Sequence, residues 1–388
     1  MQFYSTEKKN RKPEIKNRKT SIPAVITIFF GILLLCEGPA SATGAISGIK
    51  LCSSVVIPSL FSFTALVLFF QKSGAMSILG FRISRFTKKV FGVDGNVFAA
   101  FLISYIGGFP VGAKLADNLY LSGETDRKTA LKIIDFGINA SPSFYIAAIG
   151  NGILNDRFVG TILFLSNFLA GLILSLLNFR WNIFCHKSKF RKNISVVSKC
   201  EAKNISEKSY TQNMKNKSAE NAFVESIEDS AYILINICAF VVFFSSIIEI
   251  IKGFVQDKSV FALIVSAFEI TLGAAKAHEA GFSVPIIAFI ISFGGLSVLC
   301  QVKSSSQNLN PSIIRLLCFR AVHALVSSAL SYLMLFFGTR NKPVISNHIK
   351  PVFTGFPLSI PSVLLFAMAV VFVIYLKKYK ITLKKKAN

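Results

Sequence analysis

Acidic residues are scarce in this chain, 19 Asp and Glu against 43 Lys and Arg in 388 residues. Histidine is scarcer: His186, His278, His323 and His348 form no H-E-x-x-H or other ligand spacing. The seven cysteines, at positions 36, 52, 185, 200, 238, 300 and 318, include no C-x-x-C, and most lie inside apolar runs. These absences argue against a zinc site and against a disulfide framework. There is no Asp-Asp-x-x-Asp and no Ser/Lys or His/Asp set at membrane depth, so an enzyme is not the expectation. Charge is thin overall, at 16% of residues, and it is clustered at the ends of apolar segments. That distribution orients membrane helices rather than binding nucleic acid, despite a net charge of +24.

What is abundant is apolar surface. The chain is 52% hydrophobic and holds 38 Phe, too apolar to stay dispersed as a soluble fold. The expected fold is all-α and polytopic, with about eight spanning helices of roughly 20 apolar residues each. The candidate spans are 22–36, 54–71, 131–151, 157–179, 231–251, 283–302, 311–337 and 359–376. The basic arm ahead of 22–36 resembles a signal sequence, but Glu37-Gly38-Pro39 follows and the reading is an uncleaved first span. Stretches 96–122 and 258–278 are apolar yet interrupted by Gly, Pro or charge, and read as re-entrant hairpins. Lys and Arg crowd 72–95, 127–128, 180–222 and the C-terminal tail, which places both termini and the central linker in the cytoplasm of a bacterial or forespore membrane.

The expected organisation is a basic arm and first span (1–39), a first repeat (40–180), a polar linker (181–217), a second repeat (218–337), and an outer loop, last span and basic tail (338–388). Each half runs in one order: an amphipathic stretch (40–53; 218–230), a span, a hairpin, an interrupted span, a long span. Three full crossings per half invert the second relative to the first. Inverted repeats with broken helices are the architecture of secondary transporters.

Chemistry concentrates at the interruptions. Gly107-Gly108-Phe109-Pro110-Val111-Gly112-Ala113-Lys114 stops a helix inside an apolar region. A half-helix starting near Gly112, with Lys114 on it, suits an anion or polar ring substituent. The plainer alternative is a surface turn with Lys114 snorkelling. Glu269 and Thr271 lie in the second hairpin, where a carboxylate is costly unless it is paired, wet or bound to a cation. Asn139 and Ser141 interrupt one span, and Gly294-Gly295 with Ser297 and Gln301 interrupt another. Gly108, Pro110, Gly112, Lys114, Asn139, Ser141, Glu269, Thr271, Ser297 and Gln301 are therefore the candidate solute-binding residues. No cofactor or metal is expected; the coupling ion stays open between sodium and a proton. The expected partners are the bilayer and a small solute, with self-association left open. Arg320 and His323, at i and i+3 on one helix face, read either as interhelical hydrogen-bonding groups or as solute contacts.

Pro-Val-Gly-Ala-Lys, Glu-x-Thr-x-Gly and Phe-Gly-Gly-Leu-Ser-Val-x-x-Gln resemble motifs of the gate-domain (nucleoside recognition) membrane family, in its YlbJ-type sporulation branch. The similarity runs from about residue 40 to 337 outside the linker. It implies a core like that of concentrative nucleoside transporters and movement of a small polar or anionic solute, dipicolinate in the sporulation branch. A nucleoside or other metabolite carrier, and a non-transporting structural or regulatory protein of spore formation, are the alternatives. The family's Ser-Gly-Tyr-Pro has become Gly107-Gly108-Phe109-Pro110, and its Cys-Asn-Asn-Ser-Gly-Pro has become Gly137 to Pro142. Leu299 stands where a polar residue is often found. The implied site is less polar than is usual in the family.

Overall fold

The structure, a computed structural model, describes residues 21–186 and 219–339. The basic N-terminal arm, nearly all of the linker and the expected span 359–376 with its tail lie outside them. Every regular element among the described residues is a helix. Five are long and apolar enough to cross a membrane: Gly38–Lys72, Arg157–Arg180, Ala219–Lys252, Val284–Ser305 and Ile313–Phe337. The chain is thus a polytopic membrane protein.

In chain order the elements are α1 (Ser21–Cys36), α2 (Gly38–Leu51), a π-wound turn (Cys52–Val56), α3 (Ile57–Lys72) and α4 (Ala75–Val90). Then come α5 (Gly95–Gly107), α6 (Phe109–Leu121), α7 (Arg127–Gly137), a second π-wound segment (Phe144–Ile153) and α8 (Arg157–His186). After the linker follow α9 (Ala219–Lys252), α10 (Lys258–Phe268), α11 (Ile270–Glu279), α12 (Val284–Phe293), α13 (Gly295–Ser305) and α14 (Ile313–Thr339).

The structure differs from the sequence reading in four places. The stretch 40–53 is continuous with the span after it, since α2, the π turn and α3 form one 35-residue helix. Pro58 cannot donate to a carbonyl one turn back, and the π winding just before it takes up that mismatch. Likewise the described part of 218–230, from Ala219, is the polar first third of α9. Its Glu225 and Asp229 pair with Lys72 of α3 at 3.2 and 2.8 Å, which fastens that end in helical form. The basic segment 72–95, read as a loop, contains α4. α1, over the expected first span 22–36, has 16 residues and is not among the five helices long enough to cross, whereas the run 131–151 divides at 138–143, into α7 and the second π segment, where an interruption was expected.

The two halves meet along a seam of small residues. A β-carbon on Gly44 would sit 2.5 Å from the Ser245 carbonyl oxygen, and one on Gly48 would sit 2.8 Å from the Val242 α-carbon. Only glycine lets α2 and α9 approach backbone to backbone, the packing that holds membrane helices where lipid gives no hydrophobic drive. α8 packs on α14 at a second cross-half contact, and between these seams the hairpins and broken spans fill the centre. There α6 of one half packs against α13 of the other, and α11 against the second π segment.

Candidate functional site

Each hairpin is a helix, a one-residue break and a second helix. In the first, the break is Gly108, with φ 88° and ψ 177°, a backbone state that essentially only glycine adopts. In the second it is Glu269, extended at φ −141° and ψ 130°. Four residues after each break a glycine presses on a serine of the preceding limb. A β-carbon on Gly112 would lie 2.6 Å from Ser104 Cβ, and one on Gly273 would lie 2.5 Å from the Ser266 α-carbon. Gly112 therefore closes the hairpin, while the half-helix starts earlier, at Phe109.

Breaking α7 after Gly137 frees its last carbonyls, which must find donors inside the protein at this depth. Phe136 O accepts from Tyr105 Oη and from Asn139 Nδ2, both at 3.0 Å. Gly137 O accepts from Ser104 Oγ. Ile138 O accepts from Arg320 Nη1 at 2.6 Å. The same guanidinium donates from Nη1 to Asn139 Oδ1 at 3.2 Å and from Nη2 to Ser292 O, at the end of α12. It also lies 5.1 Å from the centre of the Phe109 ring. Arg320 is 1% exposed, so one buried cation ties the breaks of both broken spans to the tip of the first hairpin. The negative ends of two helices supply its counter-charge.

Beside it, Asn167 Nδ2 donates to Ser292 Oγ at 2.7 Å, and Ser292 Oγ donates to Ser327 Oγ at 2.9 Å. His323 Nε2 meets Asn167 O at 3.1 Å. Arg320 and His323 thus hydrogen-bond other helices, and neither lines a cavity described below.

The two hairpin breaks face one partly open cavity. Gly108, Phe109 and Pro110 line it from the first, and Glu269, Ile270 and Thr271 from the second. Ser141 and Gln301 complete the polar lining expected from sequence, with Ser59 of α3 added. The empty space is about 510 Å³ with the mouth included, but the part that can hold water molecules is about 50 Å³. That is room for a few waters, since one needs roughly 10–15 Å³ on this measure.

Glu269, 3% exposed, accepts from Leu272 N at 2.7 Å and so caps α11 with its own carboxylate. No Lys, Arg or His pairs with it among the described residues. Gln301 donates to Ser297 Oγ at 3.1 Å, which places Ser297 behind the cavity wall, fully buried. Asn139 and Gly112 are likewise buried in the scaffold rather than on the lining.

Lys114 stands elsewhere. It lines a second, more polar cavity of about 170 Å³ of water-holding space, with Asp117, Asp229, Asn236, Ser304 and Asn308. Both cavities use α6, α9 and α13: residues 110, 237 and 301 line the first, and residues 114, 236 and 304 line the second.

Sequence reasoning missed Asp117 and Asp135, although each is a lone carboxylate in an apolar stretch. Asp117 accepts from Leu309 N at 2.9 Å and Asn308 Nδ2 at 2.8 Å. Asp135 takes both arms of Arg315 at 2.7 Å and Asn178 Nδ2 at 3.0 Å. Asp117 is satisfied by the turn after α13, and Asp135 by α8 and α14, so both read as fastenings between elements.

Residues 53–157 match the family model described as Gate, nucleoside recognition. That stretch contains the first hairpin and the first broken span. The sporulation integral membrane protein YlbJ of Bacillus subtilis (strain 168) is 24% identical over 150 residues, covering 39% of this chain. The match spans 37% of that relative's length. No solved structure matches the chain. The comparisons agree with the resemblance drawn from the motifs, and Glu269, Thr271, Ser297 and Gln301 lie outside the stretch that the family model covers.

Proposed function

We propose that the chain is a carrier, not an enzyme, and moves a small anionic or polar solute through the cavity between the hairpin breaks. One observation carries this: two interrupted hairpins, set among spanning helices, bring Gly108–Pro110 and Glu269–Thr271 to the same cavity. Irregular backbone at membrane depth is sustained only around a cavity or inside protein, and half-helix N-termini attract anions. The N-terminus of α11 already holds a carboxylate, that of Glu269. The N-terminus of α6 has only Gly108 before it and no side-chain cap, which leaves it to a negative group of the solute. Glu269 then faces a coupling cation, sodium or a proton, across the cavity. Lys114, in the second cavity, is the charge that an anion meets on its route to or from the first.

The shared element order of the two halves, and the cross-half pairing of α6 with α13 and of α11 with the second π segment, support an inverted repeat. A relative named for sporulation puts small spore-associated carboxylates first, and dipicolinate is the one to try. Both termini are cytoplasmic in this reading. The water-holding part of the cavity is only about 50 Å³, so in this reading the hairpins move apart to admit the solute.

Uptake into proteoliposomes tests the proposal, with dipicolinate, simple mono- and dicarboxylates and nucleosides offered in parallel. We expect carboxylate uptake that Thr271→Ala lowers roughly tenfold, the loss of one hydrogen bond to a charged group. Glu269→Gln should change its dependence on sodium or pH, while Lys252→Gln, at the exposed C-terminal end of α9, should leave it unchanged. Uptake of nucleosides alone, or of no solute by a well-folded protein, overturns it.

A further inference from the structure

The helix α4 was unexpected, and the carrier reading does not use it. It is bent by 100° from α5, so it runs across the direction in which α5 enters the bundle. Three contacts fix the level at which it lies. It begins three residues after Lys72, where the long helix Gly38–Lys72 ends. Its C-terminal carbonyls of Lys89 and Val90 accept from Arg180 Nη2 and Nε, both at 2.8 Å, and Arg180 is where the apolar part of α8 ends. Gly80 packs directly on the backbone of Gly95 and Asn96 at the start of α5, with no room for a side chain. α4 therefore lies flat at the edge of the apolar zone, held where two spans terminate.

Its two faces differ. Ala75, Met76, Gly80 and Thr87 are buried against the bundle. The outer face carries Phe81 at 80% exposure and Phe86 at 58%, interleaved with Arg82, Arg85, Lys88 and Lys89. Two bare phenylalanines in water have no structural use, and four cations have no use in hydrocarbon. At the boundary between acyl chains and headgroups both are satisfied: the rings enter the lipid, and the basic groups stay at the phosphates. Asp94 pairs with Lys88 at 2.7 Å, and Arg85 and Lys89 are exposed beside it. The net excess attracts negative headgroups, at short range and with a strong dependence on salt.

We infer that the outer face of α4 is a docking surface for anionic phospholipid, recognising the negative headgroups of the leaflet in which it lies. The occupant is a lipid surface rather than a soluble protein because α4 is fastened where the spans Gly38–Lys72 and Arg157–Arg180 end, so its exposed rings lie at the lipid boundary.

The chain contains a single Trp, at position 181, which makes a direct test simple. Trp181→Phe combined with Phe81→Trp puts the only indole on α4; Phe86→Trp serves if the first variant is unstable. The full chain is reconstituted into vesicles of phosphatidylcholine and phosphatidylglycerol, with either lipid brominated as a quencher. Brominated phosphatidylglycerol should quench the α4 indole with a preference over phosphatidylcholine of roughly fivefold, about what one basic residue contributes at a charged surface. Arg85→Gln with Lys89→Gln, or half-molar salt, should bring that preference towards one. Leu325→Trp, on the exposed side of α14 and again combined with Trp181→Phe, should show no preference. An α4 indole quenched by aqueous iodide but by neither lipid, or quenched equally by both, overturns the inference.

Discussion

At its break the first hairpin has Gly108, which has no side chain to cap α6; the second has Glu269, which caps α11 itself. The first is positioned from outside, through Arg320 packed on Phe109. The second carries its own anchor. Beyond the break the two are alike, each with a glycine pressed onto a serine of the other limb. The difference teaches which helix end the structure leaves uncapped. A helix end that already holds a carboxylate is satisfied, whereas one facing bare glycine remains a positive end without a partner.

The comparison can be broken in graded steps. Arg320→Met should have the largest effect, because three acceptors lose a charged donor and the Phe109 ring loses its cation. We expect a loss of roughly 3 kcal/mol or more, seen as a large drop in unfolding temperature in detergent. Arg320→Lys should recover little of it, since a point charge does not reproduce the fork. Next come Gly112→Ala and Gly273→Ala, whose β-carbons meet neighbouring atoms at 2.6 and 2.5 Å. Each should cost about 1–3 kcal/mol by overpacking. Equal drops in unfolding temperature would sustain the likeness of the hairpins, and a cost in only one would end it.

Phe109→Leu removes a buried cation–π contact, worth about 2 kcal/mol between desolvated groups. That share of its cost should be absent in the Arg320→Met background, read as a coupling energy in a double-mutant cycle. Glu269→Ala should cost about 1 kcal/mol, the worth of a helix cap. Hydrogen exchange should rise in the first turn of α11 and not in α6, with Glu269→Gln close to the parent.

The breaks were legible in the sequence because glycine, proline or a carboxylate inside an apolar run has few other uses. Gly108, Asn139 to Ser143, Glu269 and Gly294 all interrupt helices where they were expected to. The partners of those breaks were not legible. Arg320 is held by backbone carbonyls, which leave no residue-type signature, so its reach to Ile138, Ser292 and Phe109 appears only in three dimensions. The continuity of α2 with α3 was hidden by polar residues that read as an amphipathic segment. α4 was hidden by its own charge: Arg82, Arg85, Lys88 and Lys89 signal an orientation rule before they signal a helix. Lys114 was grouped with Glu269 from depth in the hairpin, but five residues past Phe109 a side chain is more than a turn away from the break.

The glycine seam between α2 and α9 bears on how such a bundle can move. Surfaces locked backbone to backbone at Gly44 and Gly48 cannot slide without first separating, and separation would expose Ser245 and Ser246 to lipid. That seam behaves as a fixed axle. In the proposed carrier, motion that opens the cavity would fall instead to the short, interrupted elements, whose lengths of 10 to 13 residues would let each limb turn as a lever about its break. Such a carrier would be divided mechanically into a frame of uninterrupted helices and a set of hinged inner pieces. Enlarging either glycine would loosen the frame and leave the levers nothing to push against.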